Sequence, residues 1–355
     1  GHFSAAASSD AAPVEWCERH LLARIHRYTL RRLRREIEPV EPRDFMRFLC
    51  DWQHVSREAR VSGPDALAGV VAQLEGFEAP AGAWETELLP ARVADYAITW
   101  LDDLCTAGRV LWTRLRATAD AGPARGTSPV RATPVVLLPR RHAALWARLA
   151  TTEGDALQVS SRAQRVLDAL ARNGASFFGE LVEDAHLLRI ELEEALAELV
   201  ARGRVHCDSF AGLRALLVPA SKRPSARSHG RRRVALFGIE DAGRWALIPG
   251  RAPAMQAGRH PREDGDPATP VSVSGNTPAK AARSPGSRLR GNDGKANAPE
   301  PQAIEHVARV LLRRYGVVCW RLLEREAAWL PPWRDLLRVY HRLEARGELR
   351  GGRFI

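Results

Sequence analysis

Three times along this chain a helical pattern runs into a glycine and then straight into a short stretch of strand character. The copies read Leu104-Cys105-Thr106-Ala107-Gly108-Arg109-Val110, Leu199-Val200-Ala201-Arg202-Gly203-Arg204-Val205 and Leu343-Glu344-Ala345-Arg346-Gly347-Glu348-Leu349. Apolar residues at helical spacing precede each one: Trp100-Leu101-Leu104, Leu192-Leu196-Leu199 and Leu336-Leu337-Tyr340-Leu343. A helix stops where one residue can turn left-handed, and glycine does so without a Cβ penalty. Helix, glycine, strand is the third helix and wing of a winged helix-turn-helix. Three copies in one basic chain predict a nucleic-acid-binding array.

The 355 residues are long enough for two or three domains. Lys and Arg number 53 against 42 Asp and Glu, for a net charge of +11. Such an excess suits a polyanion, because each neutralised phosphate releases counterions. It equally suits an arginine-rich bacterial protein with no such partner, so charge alone leaves both readings open. Cys17, Cys50, Cys105, Cys207 and Cys319 lie far apart. They read as reduced, mostly buried small apolar residues of a cytoplasmic protein. None of the 11 histidines sits in a His-x-x-x-His or His/Cys cluster, so spacing predicts no metal site. No apolar run approaches the roughly 20 residues of a membrane span. The start, Gly1-His2-Phe3-Ser4, has neither an initiator Met nor a signal pattern and reads as a cut inside a longer protein.

Punctuation divides the chain into a connector (1–13), a helical winged-helix-like unit with strands (14–140), a second winged helix with a basic linker and a strand (160–248), an insertion (249–300) and a third winged helix truncated in its wing (301–355). In the first unit, helices are expected from Val14 to about Glu38, Glu41 to Val55, Pro64 to Leu74 and Ala91 to Ala107. Strands should follow around Arg109–Leu115 and at Pro134–Pro139, the latter bounded by prolines. The second unit should hold helix Ser161–Arg172, a short helix opened by Phe177-Phe178 and running to about Asp184, and helix Arg189–Ala201, then wing strands Arg204–Cys207 and Leu213–Val218, with Gly243–Ile248 a separate short strand. Helices Ala303–Tyr315, Val317–Arg325 and Pro332–Ala345, with a wing strand Glu348–Arg353, make up the third. Residues 250–300 contain no aromatic side chain and cannot bury enough surface to offset ordering, so this segment is expected to be disordered. Its Gly294-Lys295-Ala296 lacks the upstream glycine and the Ser/Thr of a phosphate loop.

Several residues are candidates for contact with DNA. Arg24, Arg27, Arg31 and Arg34 recur at +3, +4 and +3 along one helix face, which is either a phosphate-facing stripe or a solvated surface. Arg231 and Arg232 fall in a stretch, 209–239, without any acidic residue, and Arg353 lies in the last wing. In Trp52-Gln53-His54 an exposed Trp could stack on an unpaired base while Gln and His reach base edges or phosphate. The competing reading makes Trp52 the last core residue on the side of Phe45, Phe48 and Leu49. Trp84 and Trp333, in proline-flanked turns, suit packing at a domain joint.

Glu15-Trp16-Cys17-Glu18-Arg19-His20-Leu21-Leu22-Ala23-Arg24-Ile25-His26-Arg27-Tyr28-Thr29-Leu30, Phe45 through Val55, Gln73 through Glu78, Trp84-Glu85, Leu88 through Val93, Gly243–Ile248, Pro331 through Leu337 and Gly351-Gly352-Arg353-Phe354 are the strings that carry a family likeness. Over about four-fifths of its length the chain resembles the large helicase-related (Lhr) family of superfamily 2 ATP-dependent DNA helicases. The resemblance is to the region after the two motor domains, built of further winged helices and a β-barrel-like module. It implies a mainly helical α+β fold of tandem winged helices with a small β-barrel-like module. It also implies a role in DNA repair, gripping the tracking single strand for a motor that lies outside this chain. No Gly-Lys-Thr/Ser loop, DEAD/DEAH-type acidic box or arginine-finger motif is present. ATP and Mg would therefore belong to those motor domains, and no cofactor, metal ligand or catalytic residue is expected here. The partners implied are single-stranded or tailed duplex DNA and the motor domains of the same parent, with no membrane. Trp52-Gln53-His54 is also similar to the Gln-x-Asp or Gln-x-Gln motif of the winged-helix alkylpurine DNA glycosylases. Here the second polar position is Val55, which puts base excision in doubt. A winged-helix transcription regulator, normally shorter and dimeric, is a third alternative.

Overall fold

Gly108, Gly203 and Gly347 have φ of +69°, +60° and +75°, and around each the chain closes the same pair of backbone bonds. The glycine N–H donates three residues back (to Cys105, Val200 and Glu344). The next N–H donates five back (to Leu104, Leu199 and Leu343), at 2.9–3.0 Å. That pair is a Schellman cap, which satisfies carbonyls a helix end would otherwise leave unpaired. The repeat seen in the sequence is thus one local solution used three times.

The computed structural model describes residues 16–116, 130–150, 159–218, 238–248 and 301–354. The connector, the insertion 249–300 and the basic stretch with Arg231 and Arg232 lie outside the described residues. The first unit holds helix α1 (Arg19–Arg35), α2 (Pro42–Trp52), strand β1 (Val61–Ser62), α3 (Pro64–Gln73), β2 (Ala79–Pro80), α4 (Leu89–Arg92), β3 (Val93–Ala94), α5 (Ile98–Thr106), β4 (Val110–Thr113), β5 (Pro134–Pro139) and α6 (Ala143–Ala150). Here the chain departs from one long helix over Ala91–Ala107. Val93 and Ala94 instead pair in parallel with Val61 and Ser62, and Asp95 turns left-handed at φ +54°, so α5 starts only at Ile98.

The second unit runs α7 (Ser161–Asn173), β6 (Ser176–Phe177), α8 (Phe178–Asp184), α9 (Arg189–Ala201), β7 (Val205–Cys207), α10 (Phe210–Leu217) and β8 (Arg244–Leu247). The segment Leu213–Val218, expected as the returning wing strand, is helical through Leu217. Ser209 Oγ caps it by accepting from Ala211 N at 3.0 Å, and Arg214 is held by Glu85 and Asp102 of the first unit at 2.7 and 3.0 Å. The return strand of the wing is β8, which lies between β6 and β7 in an antiparallel sheet.

The third unit is α11 (Pro301–Tyr315), α12 (Trp320–Leu323) and α13 (Trp333–Ala345). Its middle helix is a single turn rather than Val317–Arg325, and Glu348–Arg353 forms no strand. The end of the chain instead lies along the segment before α2, where Val40 N donates to Phe354 O at 2.8 Å.

The three sheets are small and none closes into a barrel among the described residues, giving a mainly helical α+β fold. β5 is the joint. Val135 and Leu137 point into a core shared by the first and second units, with Trp84, Trp112, Phe178 and Trp245. Val136 and Leu138 point the other way, into a core built with Val307, Leu311, Leu336 and Leu343 of the third unit. A period-2 strand serves two hydrophobic cores because successive side chains face opposite sides. Of the five free cysteines only Cys105 and Cys207 are buried, and Cys17 is exposed, so they are not mostly interior.

Candidate nucleic-acid interface

Pro42 at the first turn and Asp44 just after it suit a helix start, and α2 then carries Trp52 as its last residue. The indole Nε1–H donates to the Arg313 carbonyl at 2.9 Å, which ties α2 to α11. Gly316, at φ +69°, lies under the ring. A Cβ there would come within 2.7 Å of Phe48 Cζ and 3.1 Å of the indole, so only glycine lets Phe48 and Trp52, 5.7 Å apart, close over this turn. Trp52 remains 42% exposed. It belongs neither to the core nor wholly to solvent, and its free edge opens into a groove.

Gln53 and His54 are held by the chain itself. Gln53 Nε2 donates to Arg314 O at 3.2 Å, and its Oε1 accepts from Arg92 Nη2 at 3.2 Å. His54 turns left-handed at φ +58° and its Nδ1 lies 2.9 Å from Ala59 O.

The groove runs between α2, α11 and α13 and the end of the chain. Arg34, Trp52, Arg313, Trp320, Arg321, Trp333, Arg350 and Arg353 are among its lining residues. Trp320 is 53% exposed, with the Arg321 guanidinium 5.8 Å from its ring. Two carboxylates line the same groove, and both are occupied. Glu344 chelates Arg34, with Arg34 Nε 2.8 Å from Oε1, and Glu348 pairs with Arg309 at 2.7 Å. The Arg34 hydrogen bond holds the Glu344 carboxyl below its ordinary range, while partial burial works against it. The groove is therefore cationic and bears exposed indole rings.

The structure brings Trp52, Arg34 and Arg353 together there. Arg24, Arg27 and Arg31 lie on α1, which buries no residue; Leu22 and Ile25 are exposed as well. Among the described residues these three arginines make no ion pair, whereas Arg34 does. Trp320, Arg313 and Arg321 carry no periodic signal in the sequence beyond the dipeptide Trp320-Arg321. Trp84 is buried and donates to Val135 O at 3.1 Å, and Trp333 packs 6.0 Å from Tyr340.

A smaller pocket adjoins the groove across Trp52 and is lined by Asp44, Arg47, Phe48, Asp51, His54 and Gln73. On the inner side of α11 lies a cluster that spacing did not announce, in which Glu75 receives His142 and His306 at 2.8 and 2.7 Å.

Two family models of the winged-helix domain of large helicase-related proteins match this chain. The one for the third such domain covers residues 40–140 and the one for the fourth covers 297–355. A relative named as an Lhr helicase and probable uracil glycosylase of Mycolicibacterium smegmatis is 31% identical over 269 residues, covering 71% of this chain and 17% of that protein. The protein named Lhr helicase/uracil glycosylase of Escherichia coli is 27% identical over 269 residues, covering 66% of this chain and 16% of its own length. The chain thus spans about one sixth of the curated relatives it matches.

Proposed function

The chain belongs to the C-terminal, winged-helix region of the large helicase-related family, and from that premise we propose that it grips the tracking single strand of DNA for a motor in the same parent protein. The observation that carries this reading is the cationic groove with two exposed indole rings, Trp52 and Trp320. Arginines neutralise phosphates without reading sequence, and indoles stack on any base. Arg24, Arg27 and Arg31 on α1 extend the positive surface beyond the groove, and Arg231 and Arg232 join it on the strength of the sequence alone. ATP and Mg are assigned to the motor domains, and the work of the whole protein to DNA repair in the cytoplasm. No described helix is long and apolar enough to cross a membrane.

The test is a titration of a labelled oligothymidylate, a tailed duplex and a blunt duplex with this chain. Log affinity should fall linearly with log salt, and the single strand and tailed duplex should bind more tightly than the blunt one. Trp320→Ala and Trp52→Ala should each weaken single-strand binding by about 1–3 kcal/mol, the usual worth of one stacked base. Single-strand affinity unchanged in both variants would sink the stacking role.

One observation favours a second reading, base excision. Both relatives carry uracil glycosylase in their printed names, and the pocket beside Trp52 holds two carboxylates, Asp44 and Asp51. Asp51 already accepts from Ser56 Oγ at 2.5 Å, so it is poorly placed to activate water. Abasic product from a uracil-containing oligonucleotide, lost in Asp51→Asn and Asp44→Asn, would establish this reading in place of passive gripping.

A further inference from the structure

Glu75, His142 and His306 come from the turn just after α3, the turn after β5 and α11, and nothing in their spacing links them. Their ligand atoms all lie within 4.8 Å of one another. The Glu75 side chain is wholly buried. Its Oε1 accepts from three donors at once: His142 Nδ1 at 2.8 Å, His306 Nε2 at 2.7 Å and Trp146 Nε1 at 2.8 Å. Its Oε2, equally buried, has no hydrogen-bond partner, and the nearest cation, Arg313 Nη1, stands 3.7 Å away. A carboxylate crowded on one oxygen and bare on the other is an expensive interior arrangement.

We propose that Glu75, His142 and His306 bind one divalent ion of the zinc class, which clamps the first unit to the third. Two imidazole nitrogens and one carboxylate oxygen form a donor set that zinc takes readily, and they leave a fourth position for solvent. Both imidazoles are mostly but not fully covered, at 22% and 18% exposed, so an ion can enter without unfolding the core. The ring centroids are 4.4 Å apart, and an ion would sit where the two N–H groups now meet Oε1. On binding, each neutral imidazole turns a bare nitrogen to the ion, the proton passing from His142 Nδ1 to its Nε2 and from His306 Nε2 to its Nδ1, and Trp146 remains as the outer donor that orients the carboxylate. The His142 proton then resides on Nε2, and the exposed Arg141 contact at 3.2 Å is given up.

The experiment uses the whole chain, loaded with zinc and dialysed against metal-free buffer, with metal content measured by plasma mass spectrometry. The expected result is one zinc per chain, a visible tetrahedral-type absorption when cobalt replaces it, and a rise in thermal midpoint on adding zinc. His142→Gln and His306→Gln, both at partly exposed positions, should each lose all three responses while keeping the far-ultraviolet dichroism of the parent. A readout without any variant is protection of His142 and His306 from diethyl pyrocarbonate by zinc, mapped by peptide mass. A parent chain that retains no metal, or zinc that shields other histidines instead, would overturn the proposal. DNA affinity is measured separately, so the groove and the ion site stand or fall independently.

Discussion

At the scale of single residues, two positions set the shape of the groove. Gly316 is under double constraint, by its left-handed backbone and by the rings of Phe48 and Trp52. Gly316→Ala should cost about 1–3 kcal/mol in urea unfolding, the range for a strained non-glycine backbone, and should displace the Trp52 ring. An unchanged midpoint would mean that the two rings retreat without loss. Glu344 is the second position. It faces Arg34 of α1, His341 on its own helix and the Gly351 N–H. Its folded pKa is lowered, chiefly by the Arg34 hydrogen bond. The contribution of this clasp is therefore fully present above the ordinary carboxylate range and is lost as pH falls through the depressed value. A carbon-13 titration of the Glu344 carboxyl should show a midpoint below that of an exposed glutamate, returning upward in Arg34→Ala. A midpoint that ignores Arg34 would refute the clasp.

At the scale of elements, β5 makes the clearest demand. Leu137 and Leu138 are neighbours in sequence and fully buried, yet they sit in different cores. Leu137→Ala and Leu138→Ala should each cost about 2–5 kcal/mol. Hydrogen exchange should place the loss differently. The first should loosen α7–α9 and the second α11 and α13; the same loosening in both would contradict the two-faced strand. Much of this was legible in the sequence. The Schellman glycines, helices α7, α8, α9 and α13, and a proline-bounded buried strand all follow from local rules. What failed was long-range. Leu213–Val218 is apolar enough to be read as a strand, but Ser209 caps a helix there and Arg214 on it reaches Glu85 and Asp102 across more than a hundred residues. Likewise the side chain of Gln53 could be read as free, because its partners Arg92 and Arg314 arrive from distant segments. Helical spacing puts Trp52 at an edge, whereas Trp320, on a helix of one turn, has no period to expose it.

At the scale of the molecule, the described residues belong to one compact unit, and its parts are ordered by return visits of the chain. Strand β8 is the plainest case. β6 and β7 do not touch each other in the sheet; both pair only with β8, which follows them across residues 208–243. A chain emerging from the ribosome therefore presents α7, α8, α9 and α10 before this sheet can form. Closing that long connection costs entropy that local helices do not incur, and pairing across it slows folding. A chain from which only residues 238–248 are deleted should keep much of its helical dichroism but leave Trp245, the ring that fills the sheet side of the core, unsupplied. Adding back a peptide of residues 238–248 should restore cooperative unfolding at a rate that depends on peptide concentration. If the shorter chain already melts cooperatively, the wing is ornament; if not, β8 is the piece that completes the second winged helix.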